Sequence, residues 1–145
     1  MSDGGKRQRL AAILAADAVA YSRLMEASER ETVAALDAAG DIFRAAIEAN
    51  QGHVINMVGD SVLALFDTAA GAVFAALSAQ RDLDSDERVL VDDAPLRFRI
   101  GVYLGDVMES STGGDVHGDG INIAGRLQSL ARPGGIVVSD GCAVQ

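Results

Sequence analysis

Two carboxylates, Asp17 and Asp60, stand where a charged oxygen could hold a metal ion. Asp60 follows Gly59 between two apolar runs of strand length, residues 54–58 and 62–66. A tight Gly-Asp connection between such runs predicts a β-hairpin, which lifts the carboxylate to the tip of a rigid ribbon. Gly and Asp also favour ordinary turns, and from the hairpin alone Asp60 reads as a turn residue. Asp17 ends the apolar run 10–16, and the small residues Ala18, Val19 and Ala20 lead from it to Tyr21 and Ser22. A buried strand that ends in a carboxylate, then a short loop opening a helix, is a metal-plus-phosphate arrangement. Amides at a helix start attract anions, and a cation on the carboxylate bridges to phosphates. Alone, Asp17 could equally cap the helix. Paired with Asp60 on a neighbouring strand, it makes a site for two divalent ions.

The elements that must position these groups follow from periodicity and punctuation. Residues 1–7 read as a flexible N-terminal tail and 8–17 as the first strand. A short helix is expected at 22–27. The pattern Ser28-x-x-Glu31 is a capping box for a longer helix, with Val33, Leu36, Ile42, Phe43, Ala46 and Ile47 on its inner stripe. Gln51 and Gly52 end that helix and lead into the hairpin. Asp67 is a candidate N-cap for a helix over 68–82 that turns Val73, Phe74 and Leu77 to a sheet. The acidic stretch 83–95 reads as a solvated loop. A strand over 96–104 is expected to turn at Gly105-Asp106 into a partner strand from Val107. A helix over 120–131 carries Ile121, Ile123, Ala124 and Leu127 inward; Pro133 stops it, and 136–139 forms the last strand. This order predicts an α+β sandwich: a mainly antiparallel sheet with helices packed on one face.

One domain with room for a core suits 145 residues. Aromatics are only 4% of a chain that is 49% hydrophobic, so the core must be built largely from Ala, Val, Leu and Ile. The formal charge of −9 argues against a nucleic-acid or anionic-membrane surface, and no stretch is long enough to span a bilayer. Cys142 is the only cysteine, which excludes an intrachain disulfide and fits a cytoplasmic location.

Four segments in order carry a resemblance. Ala-Asp-Ala-Val-Ala-Tyr-Ser at 16–22, Val-Gly-Asp-Ser at 58–61, Arg-Ile-Gly-Val-Tyr-Leu-Gly-Asp-Val at 99–107 and Gly-Asp-Gly-Ile-Asn-Ile-Ala-Gly-Arg-Leu at 118–127 together resemble the catalytic domain of bacterial class III adenylate/guanylate cyclases. The resemblance runs from about residue 9 to the end, marks 8–145 as the cyclase homology domain, and implies a ferredoxin-like, palm-type core. It implies a nucleotidyl cyclase of intracellular signalling that converts ATP to cyclic AMP and pyrophosphate. The ribose 3′-oxygen attacks the α-phosphate, a reaction that needs positioning and charge neutralisation. Asp17 and Asp60, with the Ala18 carbonyl, would hold two Mg²⁺ or Mn²⁺ ions per site. Val19, Ala20, Tyr21 and Ser22 would cradle the phosphates. Asn122 and Arg126, at i and i+4 on one helix face, would orient the ribose and stabilise charge on the α-phosphate. The family builds each site from two protomers, which implies a homodimer with composite sites.

Three departures from the family pattern stand out. Ala20 occupies a position where the family usually has Gly, which restricts the backbone. Of the two adenine-reading positions, Asp115 matches, but position 56 is Asn where a Lys is usual, and Lys6 is the only lysine in the chain. Losing a charge-assisted bond costs about 1.5–3 kcal/mol, which leaves GTP open beside ATP. The family's last strand pair, with a phosphate-contacting Lys, is not seen in the chain. A cyclase homology domain that dimerises or senses nucleotide without turnover is therefore the alternative reading.

Overall fold

The computed structural model describes residues 6–110, 116–117 and 119–140. Asp115, Cys142, Gly118 and tail residues 1–5 lie outside the described residues. The elements run β1 Lys6–Ala18, α1 Tyr21–Ala27, α2 Glu29–Ala49, β2 His53–Val58, β3 Ser61–Phe66, α3 Ala69–Ser85, β4 Leu90–Val91, β5 Ala94–Pro95, β6 Phe98–Ser110, β7 Val116–His117, α4 Asp119–Leu130 and β8 Ile136–Val138. The main sheet has the order β2-β3-β1-β6-β7, antiparallel throughout, and β8 joins β6 as its parallel neighbour. This is the expected α+β palm-type sandwich, with α2 and α3 on one face and, beyond the expectation, α4 on the other.

β1 is the central strand. It pairs with β3 over Ala12–Asp17 and with β6 along its whole length, from Lys6 opposite Ser110 to Ala18 opposite Phe98. Its side chains alternate between two layers of core. Ala12, Leu14, Ala16 and Ala18 face the larger layer, which α2 and α3 close with Ala35, Ala39, Phe43, Ala72 and Ala76. Ala11, Ile13 and Ala15 face a smaller layer with Leu65, Val107 and Ala124 of α4. Helices α2 and α3 thus cover one face, while α4 packs across β6 and β1 on the other. Close approach there depends on Gly101, where a Cβ would fall 2.3 Å from the Gln128 nitrogen and 2.5 Å from the Ala124 oxygen.

Several sequence expectations are corrected. β1 begins at Lys6, because the pairing with β6 extends that far. The Ser28/Glu31 capping box does not form. Ser28 Oγ donates to both Asp92 carboxylate oxygens at 3.2 Å, and Glu31 Oε1 accepts from the Asp92 amide at 2.7 Å. Both capping groups are taken by the β4–β5 turn, whose Asp92 and Asp93 have φ of 53° and 65°. That hairpin lies in the stretch expected to be loop, and it is anchored by the buried Val89, Val91 and Leu96. Thr68, not Asp67, caps α3, its Oγ1 accepting from Gly71 N at 3.0 Å, while Asp67 pairs with Arg9 at 2.8 Å. α3 turns its alanines inward, leaving Phe74 and Leu77 exposed; Val33 of α2 is exposed too. Alanine lets the helices sit close to the sheet, and the bulkier residues do not fit that gap. Ile123 and Leu127 of α4 are only half-buried. Gly105-Asp106 is not a turn but mid-strand in β6. The Tyr103 ring folds over Gly105, its hydroxyl 2.3 Å from where a Cβ would stand, so a side chain there would displace the ring. Among the described residues no helix is long and apolar enough to cross a membrane.

Two glycine substitutions separate packing from propensity. Gly101→Ala should destabilise the fold by about 3 kcal/mol or more, since only backbone can yield to the added methyl. Gly125→Ala meets nothing within 4 Å and should stabilise by about 0.5–1 kcal/mol through helix propensity. Urea titration of both variants checks the contrast.

Candidate active site

The β2–β3 hairpin forms as its sequence predicts, with Gly59 at φ 59° and Asp60 beside it in the turn. On the neighbouring strand Asp17 lies directly opposite Ser61, and the Ala18 amide donates to the Asp60 carbonyl at 3.2 Å. Register alone therefore brings the two carboxylates together at one end of the sheet. Alternation places Asp17 on the same face as Ala11, Ile13 and Ala15, the α4 side. Asn56, opposite Leu63, also projects on that side, exposed, after an irregularity in the β2–β3 register at residue 55.

The pair is electrostatically costly. Partial burial, a shared hydrogen bond with Asp60 and repulsion from its charge push Asp17 up from 3.8 to about 7. The Ala18 backbone and the Ser61 hydroxyl pull the other way, because they hydrogen-bond the charged form. Such a pair is relieved by a proton shared between the carboxylates or by a cation between them. No group of three or more Asp, Glu, His or Cys side chains able to hold a metal gathers among the described residues. Two hard oxygen donors suit a small divalent ion that keeps most of its shell for water and phosphate, as Mg²⁺ does. A cavity of about 470 Å³, walled by Tyr21, Leu36, Phe43, Met57 and Phe98, reaches Asp60 from the α2 side. The turn carboxylate is thus open to ligands from outside the sheet.

After Asp17 the chain runs through Ala18 to Val19, whose amide donates to the Arg97 carbonyl at 2.8 Å. That N–H is already used, so within the loop the amides of Ala20, Tyr21 and Ser22 are the better placed donors. They precede the first helical bond, from Leu24 N to Ala20 O. Ala20 holds φ 62° and ψ 33°, the left-handed region, as the N-cap of α1.

On α4, Asn122 and Arg126 are exposed while Gly120 and Ala124 turn inward, so both functional candidates share the outer face. Neither bonds Asp17 or Asp60 of its own chain. The structure thus unites Asp17, Asp60 and the loop 18–22, and sets Asn122 and Arg126 apart on another element. Asp115 lies outside the described residues. Two residues next to the pair escape sequence reasoning: Ser61, which bonds the Asp17 carboxylate, and Arg99, opposite Asp17 on β6. Only strand register reveals them; the one local signal is that Ser61 follows Asp60.

Residues 6–144 match the family described as "Adenylate and Guanylate cyclase catalytic domain". A protein of Rhizobium meliloti (strain 1021), provisionally named adenylate cyclase 3, is 44% identical over 136 residues, covering 93% of this chain and 23% of its own length. An adenylate cyclase of Glutamicibacter nicotianae is 33% identical over 137 residues, covering 93% of this chain and 32% of its own length. The chain therefore spans about a quarter to a third of the curated relatives it matches. An adenylate/guanylate cyclase/hydrolase structure from Silicibacter pomeroyi superposes with a TM-score of 0.78 at 35% identity, over 96% of this chain and 80% of that one. The guanylate cyclase domain from Catenaria anguillulae, solved with GTP, gives a TM-score of 0.83 at 20% identity over 95% and 82% of the two chains, a likeness of fold.

The carboxylate pair predicts a pH signature. Asp17 holds its proton more tightly folded than unfolded, so its contribution to stability is full below about pH 4 and is lost as pH rises toward 7. In chelator, the melting temperature of the wild type relative to Asp17→Asn should fall across that window. The groups facing Asp17 are Asp60, Ser61 and Arg99; the Asp60 hydrogen bond and charge help raise Asp17, so Asp60→Asn should flatten the same slope. Separately, Ala20→Gly should stabilise the chain by about 1 kcal/mol by relieving the left-handed alanine, read by denaturant titration.

Proposed function

Because the chain belongs to the adenylate and guanylate cyclase catalytic domain family, we propose that it closes ATP into cyclic AMP, releasing pyrophosphate, for intracellular signalling. The observation that carries this reading is the Asp17–Asp60 pair: strand register drives two carboxylates together at a strand end, and burial with the neighbouring Asp60 pushes Asp17 up to about 7. Such a pair binds a divalent cation where an ordinary turn Asp would not. Two Mg²⁺ or Mn²⁺ ions held by Asp17, Asp60 and the Ala18 carbonyl would supply charge neutralisation at the triphosphate.

The remaining steps belong to the chain's own groups. Amides of the loop from Val19 to Ser22, chiefly Ala20, Tyr21 and Ser22, bind terminal phosphate oxygens. The Asn122 amide fixes the ribose so that its 3′-oxygen lies in line with the α-phosphate. The Arg126 guanidinium stabilises the charge that builds on that phosphate as the new 3′-ester bond forms and the bond to pyrophosphate breaks. Asn56 and Asp115 read the base; Asn56 offers a neutral amide, so GTP competes with ATP.

Asn122 and Arg126 are exposed on the outer face of α4 and bond neither carboxylate of their own chain, which supports a composite site. A two-fold homodimer brings α4 of one protomer to the carboxylates of the other, giving two equivalent sites.

Incubating the protein with Mn²⁺ or Mg²⁺ and ATP or GTP should yield the cyclic nucleotide and pyrophosphate. Asp60→Asn should lower the rate at least about a hundredfold with the melting profile intact. Wild-type protein that dimerises and binds nucleotide but forms no product would reject the reading.

A further inference from the structure

Asp17 has a directly opposed neighbour on each side, Ser61 on β3 and Arg99 on β6. Opposed residues of an antiparallel pair share a face, so Arg99 rises beside Asp17 on the α4 side. Its Nε does not end on the carboxylate. It donates to the carbonyl oxygen of Ala131 at 2.8 Å, one residue past the end of α4. Ala131 is buried and Arg99 half-buried, so the bond is sheltered from water. The same segment is pinned to β6 by Gly134 N to Phe98 O at 2.9 Å and Ile100 N to Gly135 O at 3.2 Å. A guanidinium on the final carbonyls of a helix is doubly favourable, through a charge-assisted hydrogen bond and through the negative end of the helix dipole.

These observations connect two things that no single element joins. The strand position facing the metal carboxylate holds the C-terminal end of the helix that presents Asn122 and Arg126. We infer that Arg99 is a positioning residue: by tying the end of α4 to β6 it sets the height and rotation of that helix, and so the aim of Asn122 and Arg126. The inference rests on the composite-site reading and adds a direction to it. In a dimer, the α4 and the Asp17 of one chain serve different sites. Arg99 therefore acts on the site completed by its own α4, at the partner's carboxylates, although it stands beside its own Asp17.

Placement within mixed dimers tests this with a readout that a merely structural role would not move. Full chains carrying Asp60→Asn and Arg126→Ala, with different tags, are combined and the mixed dimer is purified. Its single intact site takes carboxylates from the Arg126→Ala chain and α4 from the Asp60→Asn chain. Arg99→Gln is then added to one chain or the other. In the α4-donating chain it should lower kcat about tenfold or more with KM for the nucleotide changed less than about twofold. In the carboxylate-donating chain it should change kcat less than about twofold. Arg99→Lys in the α4-donating chain, which keeps a cationic donor, should restore part of the loss, and equal melting temperatures exclude misfolding as its source. Equal losses in both placements, or none in either, would overturn the inference. A mixed dimer without activity before Arg99 is touched would overturn the composite-site reading itself, and the inference with it.

Discussion

β1 is hydrogen-bonded to a neighbouring strand on both sides and covered by helices on both faces, so its side chains must be small or flat enough for two cores at once. The run Leu-Ala-Ala-Ile-Leu-Ala-Ala answers that constraint. Alanine on β1, α2 and α3 draws the helices close, and a chain with few aromatics still fills its interior. The three largest buried side chains, Phe43, Phe66 and Phe98, occupy the α2/α3 layer, where Phe43 and Phe98 meet edge to face at 5.1 Å. A strand held this firmly can end in a charge. Asp17 follows seven apolar residues and stays half-buried because its neighbours in register leave it nowhere else to go.

The same rigidity explains why two like charges remain together. In a mobile loop Asp17 and Asp60 would separate, but here backbone pairing on either side of them fixes the distance, and the electrostatic cost is relieved only by a proton or a cation. Pre-organisation of this kind is what a phosphoryl-transfer site needs, since little geometry is left to arrange when substrate arrives. With a net charge of −9, the chain has no excess of basic groups to neutralise a phosphate ligand. Under the proposed function, a cation held by the carboxylate pair would do so instead.

Much of this was legible in sequence, and the boundary between legible and illegible is physical. The Gly59-Asp60 hairpin, the strand ending in Asp17 and the i, i+4 spacing of Asn122 and Arg126 are local features, set by turn chemistry and period. Features decided by long-range competition were not. Ser28 and Glu31 have the composition of a capping box, but the Asp92 turn, distant in sequence, takes both groups. Phe74 and Leu77 look like core residues until the sheet selects alanine for the close approach. Gly105-Asp106 reads as a turn because the Tyr103 ring that lies over the glycine is not visible in a linear pattern. The β4–β5 hairpin had a signal, Asp92-Asp93 between Val89-Leu-Val91 and Ala94, which the density of acidic residues obscured. Ser61 and Arg99 gain their importance only from the register that sets them on either side of Asp17.

The pairing of Lys6 with Ser110 also governs how the domain can come into being on a ribosome. The half containing β1, α1, α2, β2 and β3 is synthesised first and can pair β1 with β3. The opposite edge of β1 must wait until β6 has emerged, with all of α3 and the β4–β5 hairpin made in between. For that interval a strand whose middle is almost entirely apolar presents unpaired amides and carbonyls, the situation in which nascent chains associate wrongly. The high sequence separation of this ladder makes closure slow relative to helix formation. The four polar residues Lys6, Arg7, Gln8 and Arg9 at the head of the strand then act as gatekeepers, discouraging a second nascent chain from taking the place reserved for β6.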